Sequence, residues 1–265
     1  MFESEISGGP GRGLELQYLN PVIFYRAIEQ QLGSADNALL GLDFKWNIFH
    51  TAQLYGQVVL DEFKLSEIRS GKGWWANKQA VQLGGKYLDV AGLRNLDLQL
   101  EVNYVRPYTY SHDTYYTSYT HYQQPLAHPL GANLTEFLGV LSYQPLPRLS
   151  LVGKAIYTVQ GLDAVVVREV PPYGSTLLNY GGNPLLSYST RVQEYDNRTG
   201  QGNRSQLLHL EGTATYQPRL NLFVDAKLIV RKQMLDTPTY YGLVSGTTSY
   251  ATVALRWNIA QRVTN

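Results

Sequence analysis

Apolar and polar residues alternate with a period of two along most of the chain. In NLDLQLEVNYVR (95–106), Leu96, Leu98, Leu100, Val102 and Tyr104 share one parity. Asp97, Gln99, Glu101 and Asn103 share the other. Successive side chains of a strand point to opposite faces, so this stretch reads as a strand with one apolar and one polar face. The same pattern runs through 37–49, with Leu40, Leu42, Phe44, Trp46 and Ile48 against Asp43, Lys45 and Asn47. It returns in 219–232, where Asp225, Lys227 and Arg231 take the polar parity, and in 247–260, where Arg256 does.

The pattern predicts ten strands, at 14–26, 37–49, 52–64, 78–90, 95–107, 133–145, 148–160, 206–217, 219–232 and 247–260. Each is about twice the usual five or six residues of a strand in a soluble domain. The connections alternate in length. His50-Thr51, 91–94, Leu146-Pro147 and Pro218 are short. The segments 27–36, 65–77, 108–132, 161–205 and 233–246 are long. Long strands joined by short turns at one end and long loops at the other are the signature of an outer-membrane barrel. The expected fold class is therefore all-β, an antiparallel transmembrane β-barrel with about ten strands visible. Residues 1–13 are read as an N-terminal tail, and 14–265 as the barrel with long extracellular loops at 65–77, 108–132, 161–205 and 233–246.

Aromatic residues agree with this frame. Barrels of this kind carry aromatic girdles at the lipid–water interfaces. Trp46, Tyr87, Tyr143, Tyr216 and Trp257 sit on the apolar parity near the short turns. Tyr104, Phe137 and Tyr157 are candidates for the opposite girdle. A weak internal repeat relates TEFLGVLSYQPLPRLSLVGKAIY (135–157) to LHLEGTATYQPRLNLFVDAKLIV (208–230), each a strand, a Tyr-Gln-Pro turn and a strand. A soluble β-sandwich or propeller also alternates, but strand length and the asymmetry of the connections argue against it.

Composition narrows the function. The chain has 265 residues, a net charge of +1 and no cysteine. It therefore has no global field for nucleic acid, and no disulfide, thiolate metal site or cysteine nucleophile. No apolar run reaches the 18 residues of a membrane-spanning helix. The start, MFESEISGGPGRG, lacks the basic and apolar regions of a signal peptide. That points to a mature form or fragment of an exported protein, or to a cytosolic chain.

The polar parity supplies a candidate lumen lining. It holds the acids Asp43, Asp61, Asp97, Glu101, Glu136, Glu211 and Asp225, and the bases Lys45, Lys86, Lys154, Lys227, Arg231 and Arg256. Seven acids against six bases nearly cancel, as in a narrow barrel closed by paired, hydrogen-bonded charges. The other reading is a lining selective for a polar solute.

Tyrosine is the compositional outlier, at 21 residues. YTYSHDTYYTSYTHYQQPLAHPLG (108–131) falls in a long loop and concentrates Tyr108, Tyr110, Tyr115, Tyr116, Tyr119 and Tyr122. Tyrosine rings stack on sugar faces while their hydroxyls stay wet, so these six are candidate glycan contacts; the competing reading is that they pack together to order the loop. Tyr173, Tyr180, Tyr188 and Tyr195 repeat the theme in 161–205. His112, His121 and His128 have no metal-ligand spacing, so no metal is expected. Ser111-His112-Asp113 is a triad only on paper, because adjacent residues cannot meet in the required geometry. With no signalled nucleophile and no phosphate loop, no catalytic residue and no cofactor is assigned.

Four segments resemble the Wzi-type capsule-assembly barrels, and especially their RemB-like relatives in gliding bacteria. They are LNPVIFYRAIE (19–29), GSADNALLGLDFKWN (33–47), QLYGQVVLDEFK (53–64) and HPLGANLTEFLGVLSYQP (128–145). The resemblance spans roughly 14–260. It implies a non-enzymatic outer-membrane lectin in the cell outer membrane, holding capsular or other surface polysaccharide. In the gliding branch it implies a role in adhesion and movement. The implied partners are outer-membrane lipid, surface polysaccharide and other surface or motility proteins, with no nucleic acid. Members of that family have more strands and a periplasmic helical segment, and usually end in a terminal aromatic residue. Those departures suggest the C-terminal portion of a longer protein. The alternatives carried forward are a passive pore for small polar solutes and, behind it, a barrel hydrolase.

Overall fold

The computed structural model describes residues 1–10, 36–168, 174–237 and 244–258. It is dominated by one ten-stranded antiparallel sheet. The strands are β1 (Phe2–Ile6), β2 (Asn37–Ile48), β3 (Ala52–Glu62), β4 (Lys78–Tyr87) and β5 (Leu96–Val105), followed by β8 (Leu134–Leu146), β9 (Leu149–Leu162), β12 (Asn203–Arg219), β13 (Leu222–Leu235) and β14 (Gly246–Trp257). Each pairs with the next in that order. Two small hairpins stand apart from the sheet, β6 (Thr120–His121) with β7 (Gln124–Pro125), and β10 (Ala164–Arg168) with β11 (Gly174–Leu178). A short α-helix, α1 (Leu65–Ser70), lies in the connection after β3. Among the described residues β1 and β14 are the two edges, and the sheet is open between them.

Nine strands fall where the alternation places them, and β2 to β14 of the main sheet are 10 to 17 residues long. The expected strand at 14–26 lies outside the described residues. Phe2–Ile6, in the segment read as the N-terminal tail, pairs with the start of β2, Ile6 opposite Asn37 and Phe2 opposite Gly41. The turn between β12 and β13 is Leu220-Asn221 rather than Pro218, with Asn221 at φ 62. Pro218 instead occupies a register shift between Tyr216 and Arg219. The repeat partner β8 has the equivalent shift between Tyr143 and Leu146, around Pro145. Proline has no N–H for the ladder and fits where pairing is interrupted. The internal repeat is therefore two hairpins with the same bulge.

Register fixes the faces. Directly paired residues share a face, so tracing the pairs from β2 to β14 tests the parity reading strand by strand. Asp43, Gln57, Gln82, Asn103, Glu136 and Thr158 form one continuous rung. Lys154, Glu211 and Ile229 form another. Twelve of the thirteen charged residues of the polar parity lie on this one face, and Asp61 sits at the register shift between Leu60 and Glu62. The opposite face is apolar and uncovered. Leu42, Phe44, Trp46, Leu83, Leu100, Phe137, Leu210, Leu228, Leu255 and Trp257 are all exposed there, Leu228 at 54% and Trp257 at 70%. A sheet packed on a core in water shows the reverse arrangement.

The buried apolar cluster lies on the polar face, at its long-loop end. Leu39, Val59, Ala80, Val105 and Leu134 come from five adjacent strands, and Tyr110 and Ala132 come down on them from the β5–β8 connection. That connection (106–133) is folded over the end of the polar face.

Candidate functional site

The polar face is built as a hydrogen-bonded network. The Tyr55 hydroxyl donates to Glu101 Oε2 at 2.6 Å and accepts from Gln99 at 2.9 Å. To reach Glu101 on β5 the Tyr55 ring lies across Gly84 on β4, where any Cβ would overlap the ring. Gln82 and Asn103 both donate to Glu101 Oε1 at 3.0 Å. Asn103 also donates to Glu136 at 3.3 Å, Thr158 donates to Glu136 at 3.0 Å, and His128 Nε2 sits 3.2 Å from Glu136. Farther along the face, Glu211 pairs with Lys227 at 2.7 Å, and Asp225 holds Arg256 at 3.2 Å and Thr215 at 2.7 Å. Asp97 accepts from the Asp89 amide, and Arg231 donates to Gln233. Lys86 stands 5.9 Å from the Tyr55 ring centroid, and Lys154 faces Glu211 across the ladder. Asp43 and Lys45 are exposed at the sheet's β2 end. Asp61 is buried and accepts from the Tyr110 amide at 2.8 Å.

The long connections meet in a dome over one end of this face. Its centre is Lys78, which is 0% exposed. Its Nζ donates to the Ser111 carbonyl at 2.9 Å and lies 3.3 Å from Glu62. It also sits 4.4 Å from the Tyr188 ring centroid and 5.5 Å from that of Trp75. Arg191 also stacks on Trp75, 4.3 Å from its ring centroid, and is paired with Glu194. A buried cation held by one carboxylate, one carbonyl and two ring faces ties three connections together.

A second anchor is Asn133, also 0% exposed, at φ 59. Its amide donates to the carbonyls of Gly161 and Gln201 at 2.9 Å and of Tyr180 at 3.3 Å, and its Oδ1 accepts from Gly200 at 2.7 Å. Asp163 accepts from the Tyr180 amide at 2.7 Å. Burial raises the Asp163 pKa, opposed by the backbone N–H groups of residues 180–183 gathered around the carboxylate.

The six loop tyrosines divide. Tyr108 and Tyr110 are buried and offer no face to a ligand. Tyr108 donates to the Asn179 carbonyl at 2.9 Å, and burial pushes its hydroxyl pKa up to about 12. Tyr110 packs in the apolar cluster and against Tyr119, 5.9 Å between centroids. As glycan contacts these two are corrected: the loop turns inward at both, and their rings fill the dome. Tyr119 is half-buried beside them. Tyr115, Tyr116 and Tyr122 are exposed, and the first two form a pair with centroids 3.9 Å apart. In the later connection Tyr188 packs on Lys78, Tyr180 is partly buried and Tyr195 is exposed. Tyr173 lies outside the described residues.

The histidines separate as well. His112 is buried with Nδ1 2.9 Å from Thr117 Oγ1 and Nε2 3.9 Å from Glu62. Its pKa is lowered, first by burial and then by Lys78. Ser111 Oγ bonds the Tyr108 carbonyl, so the Ser-His-Asp run forms no relay. Among the described residues no group of three metal-ligating side chains comes together. Lys78, Asn133, Asp163 and Arg191 were not singled out by sequence. Only the Asn before a strand, in the phrase HPLGAN, hinted at a backbone position that favours Asn. No protein-family model and no curated protein matches the chain.

Proposed function

We propose that this chain is an outer-membrane β-barrel protein that holds surface polysaccharide at the long-loop end and catalyses no reaction. The observation that carries the reading is the division of the sheet. Strands long enough to cross a bilayer put their apolar residues on the uncovered face and their charges on the opposite one. Apolar residues outward and charges on the other face is the arrangement of a barrel in lipid, where the two sheet edges must also be joined or covered, and the reverse of a sheet packed in water. Trp46, Tyr87, Tyr216 and Trp257 stand exposed on the apolar face near the short turns, where an interfacial girdle belongs.

The loop end supports binding rather than passage. The 106–133 connection rests on the polar face, and His128 on that connection meets Glu136 on β8. Tyr115, Tyr116 and Tyr122 present ring surface outward from the same connection. Paired aromatic rings on an ordered loop suit the apolar faces of sugars. Capsule attachment and adhesion during gliding are both served by such a surface.

The test is a titration of the refolded, detergent-solubilised protein with its host's purified surface polysaccharide, with heat-modifiable migration as the folding control. Saturable binding weakened at least several-fold by Tyr115→Ala and Tyr116→Ala is the expected result. A folded protein that binds nothing, and gives stepwise conductance in a planar bilayer, is a pore.

A further inference from the structure

At the long-loop end, a cleft of about 200 Å³ lies between α1 with the loop after it and the segment Asp196–Arg198. Its walls are clamped together. The Asp196 amide donates to the Lys72 carbonyl at 2.8 Å, and the Asn197 amide donates to the Gly73 carbonyl at 3.0 Å. Arg106, just past β5, lines the cleft. Its backbone is fixed, because its N–H donates to Gln79 at 3.0 Å and its carbonyl accepts from Asn133 at 3.3 Å.

The Arg106 side chain is the anomaly. Arg191 has Glu194 and Arg256 has Asp225 as carboxylate partners. Arg106 has none among the described residues. Its guanidinium makes one long bond, from Nη2 to the Trp74 carbonyl at 3.3 Å, and its Nε is shielded from water with no acceptor. A partly buried cation without a counter-charge is costly unless something supplies the missing acceptors. A guanidinium presents its N–H groups as a planar fork that fits a carboxylate or a phosphate.

The rest of the lining selects between those two anions. Lys72, Arg106 and Arg198 line the cleft together with two acids, Asp196 and Glu67, the latter 3.7 Å from Lys64. Two carboxylates in the lining repel a dianion more than a monoanion, which favours a carboxylate over a phosphate. Asn77 adds an amide suited to hydroxyls. We propose that this cleft binds the carboxylate of an acidic sugar, a hexuronate-type residue, with Arg106 as the anion contact. The proposal rests on the polysaccharide reading, whose ligand class it names.

The test is calorimetric titration of the folded chain in detergent with glucuronate, glucose and inorganic phosphate. Glucuronate is expected to bind saturably, at least ten-fold more tightly than glucose or phosphate, and more weakly as salt rises. Arg106→Gln is expected to lose at least ten-fold. Lys72→Gln weakens binding and Asp196→Asn tightens it, and these two surface changes test the site even if the Arg106 variant does not fold. Equal binding of glucose and glucuronate, tighter binding of phosphate, or Lys72 and Asp196 variants indistinguishable from the parent would overturn the proposal. Host polysaccharide that binds and is not displaced by glucuronate sinks this site and leaves the polysaccharide reading standing. Glucuronate binding with no binding of the polymer does the reverse.

Discussion

The Asn133 amide nitrogen donates to the carbonyl oxygen of Gly161 at 2.9 Å, and Gly161 has no room for a side chain. A Cβ there would overlap both the Gln201 carbonyl and the Asn133 amide itself. The pair joins the end of one long connection to the start of the next, at the point where both leave the sheet.

Asn133→Ala therefore frees three carbonyls and the Gly200 amide inside the dome. Leaving buried polar groups unsatisfied costs about 1–3 kcal/mol. The expected outcome is faster proteolysis within 163–202 while heat-modifiable migration persists, since the strands of the main sheet keep their ladders. Gly161→Ala should act the same way. Unchanged proteolysis in both variants would contradict the role of the pair.

Lys78→Met should loosen the dome from its centre. The change leaves the Ser111 carbonyl without its donor and Glu62 without its nearest cation. The expected loss is about 1–3 kcal/mol, because Glu62 retains some access to water. Trp75 is packed by Lys78, Tyr188 and Arg191, so its fluorescence should shift towards that of a solvated indole. A native emission spectrum in the variant would mean that the rings hold themselves together.

Acid should open the same region. The His112 pKa is lowered from 6.5 by burial and by Lys78, against the opposing pull of Glu62, Asp113 and Asp36. The unfolded dome then binds more protons than the folded one between the folded pKa and 6.5. The His112 contribution is full above pH 6.5 and is lost as pH falls through that window. Hydrogen exchange of 108–120 should accelerate on acidification from pH 7 to 5, and His112→Gln should flatten the dependence. Exchange that is constant over that range, or equally pH-dependent in the variant, would rule His112 out.

The sheet was legible in the sequence because alternation is a local property. Leu96 to Asn103 assign their own faces without knowing their neighbours, and register then carries twelve of the thirteen polar-parity charges to one side. The dome was not legible, because its contacts join distant residues. Tyr108 meets Asn179 across 71 positions, and no period marks either. Tyr108 and Tyr110 look like Tyr115 and Tyr116 in the sequence. They differ because Tyr108 and Tyr110 meet distant partners, Asn179 for the first and the strand cluster of Leu39, Val59 and Val105 for the second. Arg106 is not legible in the sequence for a related reason: a single base beside Pro107 at a strand end carries no pattern, and only the missing counter-ion marks it.

The membrane assignment can be tested by moving one charge between faces. Leu228 lies near the middle of β13, 54% exposed on the apolar face, opposite Gly212 and Ala251. Lys227, its neighbour, points to the other face and pairs with Glu211. An arginine at the bilayer midplane of a barrel costs about 2–4 kcal/mol. Leu228→Arg is therefore expected to lower folding stability in lipid vesicles by that amount, read from urea titrations. At an exposed position of a water-soluble sheet the same change would be within about 0.5 kcal/mol of neutral. Lys227→Gln removes a partly screened ion pair and should cost less, about 0–1 kcal/mol. A larger loss at Leu228 than at Lys227 supports an apolar face against lipid. A Leu228→Arg chain that folds as well as the parent, or gains solubility without detergent, would place that face in water and remove the barrel reading.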